Sequence, residues 1–99
     1  MTSNKGVIIV HEGNMLITAF DVLVKNEYYE EYKDLVEQLY QIDCEFVKKF
    51  LEQHKDYIYL GSEDLGHYPE YNIEIVKLLS RLMNEGFEIV FMDWYNDNQ

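Results

Sequence analysis

The 99-residue chain is predicted to fold as an α+β two-layer sandwich of order ββαβαβ, with two helices on one face of a four-stranded, mostly antiparallel sheet. Three observations predict it. Two β-branched and apolar runs, Gly6 to Val10 and Met15 to Val24, flank the turn signal Glu12-Gly13-Asn14 and read as a hairpin. Apolar residues then recur at steps of three and four in two separate stretches, the mark of amphipathic helices. An alternating run from Phe87 to Trp94 closes the chain as a strand.

The first helical stretch begins at Asn26, a good N-cap, with Glu27 and Glu30 near the positive end of the helix dipole. Its apolar row is Tyr28, Tyr32, Leu35, Leu39, Ile42, Phe46 and Phe50, widened by Tyr29, Val36, Tyr40, Val47 and Leu51. Continued to His54, it would be about 40 Å long at 1.5 Å per residue. That is long for so small a domain, so a kink or break near Asp43, itself an N-cap candidate, is expected. Asp56 to Gly61 reads as the third strand and Ser62 to His67 as a polar loop. Pro69 suits the first turn of a second helix. Its buried face is assigned to Ile73, Val76, Leu79 and Met83, flanked by Ile75, Leu78 and Leu82, up to Gly86 as C-terminal cap.

One domain is expected over 1–99, with flexible ends at 1–5 and 96–99, because no Pro/Gly/Ser-rich linker divides the chain. An apolar fraction of 47% with fifteen aromatics argues against disorder. The single cysteine, Cys44, excludes an intrachain disulfide and a zinc site of several thiolates. The apolar run ending at Val10 is too short for a signal peptide or membrane span, so a cytoplasmic setting is expected.

Nineteen acids against eight bases leave a formal charge of −11. Such a field attracts cationic surfaces and repels nucleic acid and anionic lipid. Its placement is uneven. Seven acids lie between Glu27 and Glu45, opposed only by Lys33, and Glu63 to Glu74 contains no lysine or arginine. Glu27, Glu30, Glu31, Asp34 and Glu37 recur at three- and four-residue steps, which brings neighbouring carboxylates about 5 to 6 Å apart. Basic residues gather at Lys48, Lys49 and Lys55.

The nine tyrosines add a second signal, since tyrosine at a surface offers apolar area and a polar tip at low entropy cost. Tyr32, Tyr40 and one of Tyr57 or Tyr59 are assigned to the core, and Tyr29, Tyr68, Tyr71 and Tyr95 to a contact surface. The expected partner-binding residues are Glu27, Glu30, Glu31, Asp34, Glu37, Glu63, Asp64, Glu70, Glu74, Tyr29, Tyr68 and Tyr71.

No catalytic residue, metal site or cofactor is expected. His11, His54 and His67 fall in different elements outside any ligand-spacing motif and read as surface or turn histidines. Asp21, in an otherwise apolar strand, is a candidate buried acid. Cys44 stands between Asp43 and Glu45 with no cationic activator beside it in sequence.

In size, acidity and aromatic content the chain resembles the small DNA-mimic inhibitors of bacteriophages and mobile elements. The resemblance covers the whole chain by composition, without a diagnostic motif. It implies an inhibitor that occupies the basic nucleic-acid-binding surface of a target protein, while the charge argues against binding nucleic acid or membrane directly. A homodimer is expected separately, since edge-to-edge or helix-mediated pairing would bury Met92 and Trp94 if they are exposed on the last strand. Three alternatives stand beside the inhibitor reading: acidity that only keeps the protein soluble, an immunity protein or antitoxin against a nuclease toxin, and an acidic structural subunit. For the immunity reading, Leu82-Met83-Asn84-Glu85-Gly86-Phe87-Glu88-Ile89-Val90 is similar to the helix, glycine and final strand of barstar-like inhibitors.

Overall fold

The computed structural model describes residues 4–13, 16–64 and 73–93. Strands β1 (Gly6–Gly13) and β2 (Leu16–Lys25) form the expected antiparallel hairpin, with Val7 opposite Leu23 and Ile9 opposite Asp21. Strand β3 (Tyr57–Asp64) pairs antiparallel with β2, and β4 (Phe87–Asp93) pairs parallel with β1. The sheet order is therefore β3-β2-β1-β4, mixed and mostly antiparallel. The α+β class and the element order agree with the expectation.

The predicted long helix is broken into pieces. A 3₁₀ turn (Asn26–Tyr28) leads into α1 (Tyr29–Tyr32) and α2 (Leu35–Gln38), and α3 (Glu45–Gln53) follows after a gap. The break lies at Leu39, whose backbone turns extended at φ −107° and ψ 159°. The next residue, Tyr40, then makes a reciprocal backbone pair with Ser62, at 2.8 and 2.7 Å, and so runs along the outer edge of β3. Cys44, not Asp43, is the N-cap of α3.

This excursion carries α3 to the other side of the sheet. Ile8, Val10, Phe20, Val22, Val24 and Leu60 point to one face, where Tyr32, Leu35, Leu39 and, from α4 (Ile73–Asn84), Leu82 cover them. Val7, Ile9 and Leu23 point to the opposite face, against Val47 of α3 with Phe50 and Leu51 around it. Helices on a single face describe α1, α2 and α4 but not α3. The pleat explains why both faces need cover, because β1 and β2 are apolar at odd and even positions alike.

Three further expectations change. Ser62, Glu63 and Asp64 belong to β3 and not to a loop, since β2 pairs with them as far as Ala19 opposite Asp64. Tyr40 is 64% exposed instead of buried, because its backbone, not its ring, is what the edge of β3 engages. In α4 the face toward the sheet is Ile75, Leu78, Leu79 and Leu82, whereas Ile73, Val76 and Met83 are exposed. Both rows fit a 3.6-residue period, and only packing chooses between them. Gly86 follows α4 at φ 101°, its N–H reaching the Met83 carbonyl at 3.2 Å, and so serves as the expected terminator. The predicted helix start at Pro69 lies outside the described residues. No described helix is long and apolar enough to cross a membrane.

Candidate functional site: an acidic face and a buried polar cluster

Burial of Tyr32, Leu35 and Leu39 turns the rest of the α1–α2 segment outward, so Glu27, Glu30, Glu31, Asp34 and Glu37 are all exposed. The segment leaves β3 at Asn26, whose N–H meets the Asp56 carbonyl, and returns to it at Tyr40, paired with Ser62. Its far end thus adjoins half-buried Glu63 and exposed Asp64. Burial raises the Glu63 carboxyl above the usual range. Glu74 is exposed at the start of α4, on the same side of the sheet, with Lys77 at 3.7 Å. Tyr29 is half-buried against the core and offers only part of its ring. Glu70, Tyr68 and Tyr71, and beyond them Tyr95, lie outside the described residues.

Two of the five acids on the α1–α2 segment are paired. Lys33 contacts Glu30 at 2.7 Å, a bond that raises the lysine's pKa, and Lys5 contacts Glu31 at 3.3 Å. Among the described residues, no ion pair engages Glu27, Asp34 or Glu37. Exposed Lys48, Lys49 and Lys55 sit on or just after α3, across the sheet, where Lys48 contacts Asp43 at 2.6 Å. The charge is therefore polarised, acidic on the α1–α2 side and mixed on the α3 side.

A different group of polar side chains is hidden beneath α3. His11 continues the face of Val7 and Ile9 on β1, and Asp21 shares that face through its pairing with Ile9. His11 is therefore diagonal to Asp21, and its Nε2 lies 2.5 Å from Asp21 Oδ2. Both residues are buried, so His11 is not the surface or turn histidine expected, while the buried-acid expectation for Asp21 holds. The other oxygen of Asp21 accepts the hydroxyl of fully buried Ser62, which in turn lies 2.5 Å from the hydroxyl of Tyr59. Burial holds the Tyr59 phenol above its usual pKa, against the opposing effect of the Ser62 hydrogen bond.

A bulge makes this chain of contacts possible. Leu23 faces Tyr59 and Val22 faces Gly61, so Leu60 is an extra residue in β3. Without it, Tyr59 and Ser62 would point to opposite faces; with it, both point to the α3 side while Leu60 enters the other core. Gly61 carries the bend at φ 148°, and a Cβ there would run into Leu39 Cβ. Above the cluster, α3 brings half-buried Cys44, and the Phe46 ring stands 5.7 Å from that of His11.

Sequence reasoning did not assemble this cluster. The period-two step Val7, Ile9, His11 was a usable signal, as was Asp21 interrupting an apolar run. Neither points to Ser62 or Cys44, which only the bulge and the crossing to α3 bring near. Compared with protein-family models, curated proteins and solved structures, the chain matches none.

Proposed function

We propose that this chain is an acidic binding protein that lays its α1–α2 face on the basic, nucleic-acid-binding surface of a target protein, in the manner of a DNA mimic. The observation that carries the reading is the outward row Glu27, Glu30, Glu31, Asp34 and Glu37 on a segment whose other side is anchored by Tyr32, Leu35 and Leu39. Anchored carboxylates keep their spacing, which a flexible acidic tail would not. Lys33 and Lys5 thin the row without erasing it, since exposed ion pairs are weak and exchangeable for an arginine of a partner. The reading places the protein in the cytoplasm, without direct nucleic-acid or membrane binding, and the acidic face itself needs no cofactor.

The test is capture from a host-cell lysate on the immobilised chain. Basic nucleic-acid-binding proteins should be retained, released by moderate salt and competed off by duplex DNA. The variant Glu30→Gln, Glu31→Gln, Asp34→Asn, Glu37→Gln should lose them. Retention unchanged in that variant removes the α1–α2 face from binding, and a single nuclease in the eluate selects a toxin-neutralising role instead. Pairing of two copies along the edge strand β4, where Phe91 is 61% exposed, would give a homodimer. Sedimentation showing a monomer at high micromolar concentration would remove that dimer.

A further inference from the structure

The cluster under α3 offers a chemistry unrelated to the acidic face. One ligand atom each from His11, Asp21 and Cys44 lie within 4.8 Å of one another, and they come from three separate elements: β1, β2 and the N-cap of α3. Thiolate, imidazole and carboxylate are the three side chains zinc takes, at about 2.3, 2.0 and 2.0–2.2 Å. Around a tetrahedral ion such ligand atoms stand roughly 3.3 to 3.7 Å apart. The three groups are thus close to a ligating set, and His11 and Asp21, at 2.5 Å, need to part by about 1 Å to admit the ion.

The surroundings supply the outer hydrogen bonds that a ligating role requires. Asp21 is held by its second oxygen, which accepts from Ser62, leaving Oδ2 to face His11 Nε2. Ser62 is backed by Tyr59, and the Tyr59 hydroxyl also accepts the N–H of Ile42, two residues before Cys44, at 3.3 Å. One hydroxyl chain therefore braces both the carboxylate and the segment that delivers the thiol. Outer hydrogen bonds of this kind orient ligating carboxylates in metal sites. Sulfur and imidazole in the set disfavour Mg²⁺ and Ca²⁺, which take oxygen alone.

We propose that His11, Asp21 and Cys44 form a mononuclear Zn²⁺ site with its fourth position open on the half-exposed side of Cys44. Binding releases the thiol proton of Cys44 to solvent and displaces the proton held between His11 Nε2 and Asp21 Oδ2, which passes to the other ring nitrogen or to solvent, so that the imidazole binds neutral. The site does not depend on the acidic-face reading, and either can fail alone.

The experiment is titration of the chelator-stripped full chain with Zn²⁺ in competition with a chromophoric chelator, repeated with Co²⁺ as a spectroscopic probe. Wild type should bind one ion per chain, and the Co²⁺ form should show a thiolate charge-transfer band with the strong visible absorption of tetrahedral coordination. Cys44→Ser alters a half-buried position at the margin of the Val7, Ile9, Leu23 and Val47 core and keeps the side-chain volume close, so its fold is checked by circular dichroism and should persist. It should lose the charge-transfer band and weaken Zn²⁺ binding by at least about 100-fold, while Ser62→Ala should weaken it by about 10- to 100-fold. Zn²⁺ should raise the melting temperature of wild type and leave that of Cys44→Ser unmoved. Absence of stoichiometric binding to folded wild type overturns the proposal. So does binding that survives Cys44→Ser unchanged, which would assign the ion to surface carboxylates.

Discussion

Tyr32 donates its phenolic proton to Glu85 Oε1 at 2.6 Å, and the same carboxylate takes Arg81 Nε on its other oxygen at 2.9 Å. The bond ties α1 to the end of α4 above a fully buried ring that meets Phe87 edge-on at 5.0 Å. Burial first, and then the bond to Glu85, hold the Tyr32 phenol well above its usual value. The Tyr32 bond first, against burial, holds Glu85 below the usual carboxylate range. A carboxyl lowered on folding stabilises above its unfolded pKa and loses that contribution as pH falls through its folded pKa. A phenol raised on folding stabilises below about 10 and loses that contribution as pH climbs beyond it. Tyr32→Phe should cost about 1 kcal/mol at neutral pH and flatten the acid limb of the stability curve. Urea denaturation from pH about 3 to about 7 checks both, with wild type the steeper.

The acidic row carries a second expectation, opposite in sign along its length. Asp34 stands three or four residues from Glu30, Glu31 and Glu37, and like charges at those spacings repel. Asp34→Asn and Glu37→Gln should therefore each raise stability by a few tenths of a kcal/mol. Glu31→Gln also removes the contact to Lys5, worth about 0 to 1 kcal/mol, and should be neutral or slightly destabilising. Thermal melts of the three single variants at low ionic strength separate these outcomes.

At Gly61 the backbone itself is the constraint. A side chain there meets both an unfavourable φ and Leu39 Cβ, so Gly61→Ala should destabilise by about 1 to 3 kcal/mol. A loss below a few tenths in chemical denaturation would show that the bend relaxes freely.

Ser62→Ala removes the hydroxyl that Asp21 Oδ1 accepts from and leaves that oxygen buried. The expected cost is about 1 to 3 kcal/mol. Tyr59→Phe, at a half-buried position, keeps the Ser62 donor for Asp21 and should cost less. Equal losses in the two variants would indicate that the chain acts as one unit beyond its pairwise bonds.

Much of the scaffold was legible because its signals are local. The run Gly6–Val10 with Glu12-Gly13 specifies the hairpin, and Gly86 before Phe87 specifies the joint from α4 to β4. What escaped depends on contacts distant in sequence. The α4 pattern is equally consistent with Ile73 or Ile75 facing inward, and only the position of the sheet decides. The turn-out at Leu39 follows from Tyr40 finding Ser62, a backbone pairing that no side-chain periodicity encodes. The Asp21–Ser62 bond spans 41 positions and needs the Leu60 bulge, so Ser62 looked like loop polarity. The acidic row was legible as spacing; the lysines that thin it were only partly so, since Lys5 reaches Glu31 across 26 positions.

The parallel ladder between β1 and β4 bears on the order in which the molecule forms. Strand β1 is the second of the two inner strands, yet one of its neighbours consists of residues 87–93. During synthesis it must wait with one flank bare until nearly the whole of this sequence has been translated. A nascent chain stalled before Phe87 would present Val7, Ile8, Ile9 and Val10 on an unzipped border, the kind of exposed strand that is prone to aggregation.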